Sequence, residues 1–130
     1  MKKIIYAFVL MTSVIFTGVA TADTPATKEV QVTVSEAYVP GGFSSATDAY
    51  VVVSGIYPNS CYRWARAEVT SPSAMVHEIK TIAYVSQTMC LMVLVPYTHD
   101  IGLGRLASGE HTLRFLNGDG TFFEKTLKVE

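Results

Sequence analysis

His111-Thr112-Leu113-Arg114-Phe115-Leu116-Asn117-Gly118-Asp119-Gly120 leads into Thr121 to Val129 at the end of the chain. His111, Leu113 and Phe115 alternate with Thr112 and Arg114, the period of two that turns one face of a strand to a core and the other to water. Asn117-Gly118-Asp119-Gly120 tolerates positive φ, so this stretch predicts a hairpin whose second arm, Thr121 to Val129, is the last strand. The same reading extends backwards. Val30, Val32 and Val34 alternate with Gln31, Thr33 and Ser35, and Tyr50-Val51-Val52-Val53-Ser54 forms a second strand with Gly55 and Ile56 near its end. Tyr62 to Val69 alternates less cleanly, which predicts an exposed, kinked strand that Ser71-Pro72-Ser73 ends. Met75 to Tyr84 carries Val76, Ile79, Ile82 and Ala83 at spacings a helix also uses; β-branched content and the lack of a cap favour a strand. Met89 to Val95 is apolar on both faces and predicts the central core strand. After Pro96, Tyr97-Thr98-His99-Asp100 reads as a loop, and Ile101 and Leu103 alternate with Gly102 and Gly104 in a short strand. Seven or eight strands with turn signals between them predict an all-β fold, an antiparallel sandwich.

The chain has 130 residues, 49% of them apolar, enough for one modest core. Lys2 and Lys3 precede an uncharged apolar run from Ile4 to Val19, and Ala20-Thr21-Ala22 has the small-x-small pattern of a signal-peptidase site. Residues 1–22 are therefore expected to be a signal peptide, 23–28 a flexible lead-in and 29–130 one domain. A membrane span is the rival, but no basic stop-transfer cluster follows the run. Cleavage removes two of the ten Lys plus Arg, leaving eight against eleven Asp plus Glu, a formal charge of −3. That balance argues against nucleic acid and anionic membrane as partners. The expected location is periplasmic or secreted, with no stable membrane insertion after cleavage. In an exported chain of this size the two cysteines, Cys61 and Cys90, are expected to form a disulfide; C-x-x-C redox spacing is absent.

Ser54-Gly55-Ile56-Tyr57-Pro58-Asn59-Ser60-Cys61, Cys90 in a later apolar segment, and Leu106-Ala107-Ser108-Gly109-Glu110-His111 together resemble small exported bacterial domains of immunoglobulin-like fold. The resemblance covers about the last three fifths of the chain and implies fold rather than activity. It also implies that position 111 matches a tyrosine whose hydroxyl bonds back to the corner it follows, here replaced by histidine.

Three kinds of site compete. The first is an interaction surface made by Tyr57, Tyr62, Arg63, Trp64, Arg66 and Tyr97, because exposed aromatic and Arg side chains favour interfaces; Trp64 packed over the disulfide is the plainer reading. The second is copper, held by His77, Met89 and His111. This set is similar to that of exported copper chaperones, although His111-Thr112-Leu113 stands where that family has His-x-Met. The third is a small hydrolase built on His99 or His77, for which no G-x-S-x-G or H-E-x-x-H motif is present. His99 and Asp100, adjacent on a strand, would point to opposite faces. Phe122-Phe123 puts one ring away from the core. The favoured expectation is a non-catalytic binding domain with no cofactor whose partner is another envelope or extracellular protein.

Overall fold

The computed structural model describes Gly18 and residues 27–130. Apart from Gly18, the expected signal peptide lies outside the described residues. Eight strands follow in order: β1 Thr27–Val32, β2 Glu36–Tyr38, β3 Asp48–Tyr57, β4 Tyr62–Ser73, β5 Val76–Ser86, β6 Val95–Arg105, β7 Gly109–Leu116 and β8 Phe122–Val129. They form two sheets, and the described residues contain no helix. Thr27 and Lys28, expected in the lead-in, already pair with Ser86 and Val85, so the folded domain includes these two residues as well.

The five-stranded sheet is organised by β5. β4 lines one of its edges along most of its length. The other edge is shared end to end: β1 pairs antiparallel with Thr81–Ser86, and β7 pairs parallel with Val76–Lys80. β8 continues outward from β7. Where β1 and β7 meet, the Gln31 side-chain amide donates to the Leu116 carbonyl. A Cβ on Gly118 would stand 2.6 Å from the Gln31 carbonyl oxygen, so only glycine lets the β7–β8 hairpin approach β1 this closely. Apart from β5–β7, every ladder between named strands is antiparallel.

The second sheet has the order β2-β3-β6. Ala49, Val51, Val53 and Tyr57 of β3 face inward in strict alternation, and so do Ile79, Leu113, Phe115 and Leu127 from the opposing sheet. Closing these faces on each other buries the main apolar cluster, the dominant favourable term in a domain of this size. Phe123 stacks on Phe115 at 4.9 Å, while Phe122 points outward beneath the Arg114 guanidinium, 5.2 Å from the ring centroid. Arg114 also bonds Glu78 and Glu124, tying three neighbouring strands together on the outer face.

Three segments differ from the sequence reading. Ser71-Pro72-Ser73, expected to end the exposed strand, lies within β4. Tyr97–Asp100, expected as a loop, belongs to β6, where Pro96 is tolerated near the start of an edge strand. Met89–Leu94, expected as the central core strand, is not a strand at all. It is an extended loop on the surface, carrying the chain from the five-stranded sheet to the three-stranded one. The expected kink in β4 is present as register shifts between Trp64 and Arg66 and between Thr70 and Ser73.

Candidate functional site

Two ends of the sandwich hold the residues singled out by sequence. At one end β3 passes into β4 and β5 into β6, and Cys61–Cys90 joins the two crossings with its Cα atoms 5.4 Å apart. Inside this end, Tyr57 stacks on Tyr97 at 4.3 Å and on Tyr62 at 5.7 Å. Trp64 stacks on His99 at 4.1 Å with the ring planes nearly parallel, and so joins the edge of one sheet to the edge of the other. Gly55 lies opposite Tyr97, and a Cβ there would meet the Tyr97 ring at 2.6 Å. The ring fills the space that glycine leaves, an aromatic rescue of a strand glycine.

These contacts correct the expected interaction surface. Tyr57 and Tyr97 are buried, the Tyr97 hydroxyl donates to the Thr33 carbonyl, and Tyr62 and Trp64 are half-buried against them. Trp64 packs on His99 and Tyr97 rather than serving as a free contact. Arg66 is engaged as well, forking onto both Glu29 carboxylate oxygens at 2.9 Å and onto Glu68. Of these six side chains, Arg63 alone is both exposed and without an ion pair among the described residues.

What this end presents to solvent is the loop that sequence placed in the core. Met89 is fully exposed, and Leu91, Met92 and Leu94 are each at least 70% exposed; Val93 is 52% exposed. Ile56 at the end of β3 adds a further exposed apolar side chain near the base, opposite Pro96. The loop is held at its root: the disulfide fixes Cys90, Ser60 N–H donates to the Leu91 carbonyl, and Leu91 N–H donates to Ser60 Oγ. From Thr81 to Thr98 the chain carries no Asp, Glu, Lys or Arg. Hydropathy cannot tell an apolar run that is buried from one that is displayed. Pro96 and the loss of alternation were the only signs that this segment is not a strand.

The opposite end holds the two buried histidines. His77 is near the start of β5 and His111 near the start of β7, and the parallel pairing of these strands sets the rings side by side. His111 Nε2 lies 2.6 Å from the Ala107 carbonyl, which can only accept, so this nitrogen carries the proton. His111 Nδ1 then accepts from His77 Nε2–H at 2.9 Å, and His77 Nδ1 accepts from the Ser71 hydroxyl at 2.7 Å. The imidazole thus makes the bond back to the corner that the resemblance assigned to a tyrosine hydroxyl.

This geometry does not assemble the copper set. His77 and His111 spend their nitrogens on each other and on neutral partners. Met89 stands beyond the far end of β5, an 11-residue strand that at about 3.3 Å per residue puts its ends roughly 30 Å apart. No group of three His, Cys, Asp or Glu side chains among the described residues is arranged to hold a metal. His99 and Asp100 are consecutive in an extended strand and do not act on a common point. No cavity opens beside either His77 or His99 among the described residues.

Residues 51–129 match the family model of the ORF11 beta-sandwich domain. The chain belongs to the ORF11 beta-sandwich domain family. The match runs from within β3 to the end of β8, so the disulfide, the displayed loop and the histidine pair of this ORF11 sandwich all lie inside it, while β1 and β2 lie outside. No curated protein and no solved structure matches the chain.

The buried rings give the ORF11 sandwich a defined pH response. Burial, and then the adjacent His111 ring, lower the ionisation of His77 below its ordinary 6.5. The unfolded chain therefore takes up this proton first as pH falls, and stability is lost on descending from about 6.5 towards the lowered native value. Tyr97 acts on the alkaline side: burial, and then Tyr57, push its hydroxyl up to about 12 from 10.0. Its contribution is complete below about 10 and is lost as pH rises from there towards 12. Urea unfolding followed by circular dichroism is expected to give a plateau between about pH 7 and 10 with a fall on both sides. A midpoint that rises between pH 7 and 5 contradicts this assignment.

Proposed function

We propose that this domain is an exported, non-catalytic binding module that docks on a partner protein through the apolar loop Met89–Leu94. The observation that carries the reading is the display of Met89, Leu91, Met92, Val93 and Leu94 on a loop whose root is fixed by a disulfide and by Ser60. Large apolar side chains left in water each forgo roughly 1.5–3 kcal/mol of burial, and a contiguous set marks a contact site. Fixing the root in advance lowers the ordering cost of binding.

The composition of the loop favours an apolar groove on a protein over a lipid surface. Interfacial anchors use Trp, Tyr and basic residues, and the loop has none. Methionine and leucine instead adapt to irregular protein grooves. The N-terminal Lys2-Lys3, the apolar run and Ala20-Thr21-Ala22 support export to the periplasm or beyond, where the Cys61–Cys90 bridge would persist. The bond from His111 to Ala107 at the corner, with the disulfide, supports kinship with immunoglobulin-like domains.

A photoreactive diazirine amino acid at position 92 of the secreted chain tests the reading in cells. The expected result is one discrete protein adduct, competed by excess unlabelled domain and weakened at least tenfold by Leu91→Asp with Met92→Asp, while circular dichroism shows the variant folded. Adducts only to phospholipid, or a purified partner that binds wild type and variant equally, would overturn it.

A further inference from the structure

We propose that Ser71 is an activated nucleophile, an acyl-acceptor site for activated esters or thioesters, driven by the relay Ser71–His77–His111–Ala107. Three observations converge on it. The register shift between Thr70 and Ser73 sets Ser71 and Pro72 opposite the single residue His77, a bulge of the kind that re-aims a side chain. Here it brings the Ser71 hydroxyl 2.7 Å from His77 Nδ1 while Ser71 stays exposed. The base points its unprotonated nitrogen at the nucleophile, because the proton positions are fixed from the far end. The Ala107 carbonyl demands a proton on His111 Nε2, which leaves His111 Nδ1 to accept from His77 Nε2–H. Nucleophile, base and orienting group therefore stand in hydrogen-bond contact in the order that general-base activation of a hydroxyl requires.

In the step, Ser71 Oγ forms a bond to the acyl carbon as the bond from that carbon to the leaving oxygen or sulfur breaks. The Ser71 proton passes to His77 Nδ1 and from there to the leaving group. While His77 carries the extra proton, its Nε2–H remains bonded to His111 Nδ1, which stays an acceptor because its own Nε2–H is held by Ala107. No cavity flanks the site among the described residues, so the geometry selects for reactivity of the acyl donor rather than for its shape, and the product is an acyl-serine on the chain.

The disulfide-intact chain treated with p-nitrophenyl acetate at pH 8 is expected to gain one acetyl group, mapped to Ser71 by peptide mass analysis. General-base assistance is typically worth 10²–10⁴-fold, so labelling of Ser71 is expected to run at least about 100-fold faster than that of the exposed loop serines Ser45 and Ser108. Ser71→Ala is expected to remove the fast phase, and His77→Gln to slow it to the loop-serine rate with the fold intact by circular dichroism. Should His77→Gln not fold, the pH dependence of labelling in the unaltered chain decides. A rate that is level above about pH 7 and falls only below the ordinary 6.5, as His77 takes up its proton, supports the relay, and a rate that keeps climbing with hydroxide above pH 7 overturns it. Acetylation of lysines with Ser71 unmodified overturns it as well.

Discussion

Replacing Cys61 and Cys90 together with alanine is expected to lower the unfolding free energy by about 3.5 kcal/mol. The bridge spans a sequence separation of 29, and closing a loop of that size removes about this much chain entropy from the unfolded state. Against a total stability of roughly 5–15 kcal/mol for an ordinary domain, the loss is large. It also changes behaviour in the native state. Without the bridge, the loop Met89–Leu94 keeps only the Ser60 hydrogen bonds at its root, and its apolar side chains are free to meet those of other molecules. Urea titration should therefore show a lower midpoint, and limited proteolysis should cut faster within residues 87–94. Unchanged midpoints would show that the native loop needs no covalent root.

His111→Ala is expected to cost about 4 kcal/mol, the second large effect. The ring is fully buried, so its removal leaves a cavity and also strands the Ala107 carbonyl and the His77 Nε2–H without partners. Orphaned buried polar groups cost about 1–3 kcal/mol each, and large-to-small core changes several more before relaxation. His111→Phe separates the two causes, since it restores volume but no hydrogen bond. Recovery of less than half the loss by the phenylalanine variant, measured by chemical denaturation, is the expected outcome. Full recovery would show that the site needs only bulk.

The chain's alternation made the two-sheet architecture legible. Val51 and Val53, and Leu113 and Phe115, sit where a period of two places them, and the Asn117–Gly120 hairpin closes as its residue types require. The disulfide was legible from the expectation of export and the even number of cysteines. Two things were beyond local reading. One is the parallel pairing of β5 with β7, which joins segments more than 30 residues apart and alone brings His77 against His111. The spacing of the two histidines carries no trace of it. The other is the environment of apolar residues. Tyr57 and Tyr97 resembled a contact surface but are core because each finds another ring to stack on. Met89–Leu94 resembled core but is displayed because no strand offers it a ladder. Hydrophobicity states what a residue would gain by burial, and the tertiary fold decides which residues receive it.

Trp64 is the chain's single tryptophan, and it rests on the His99 imidazole across the seam between the sheets. The fluorophore is therefore stationed at a joint, and its emission tracks the spacing of the two layers at that point rather than the average fold. Parting the layers there, by heat, denaturant or a ligand, changes quenching by the imidazole even where the strands themselves survive. Fluorescence and far-ultraviolet circular dichroism then answer different questions about the same molecule, and a gap between their transitions locates the first opening at this seam.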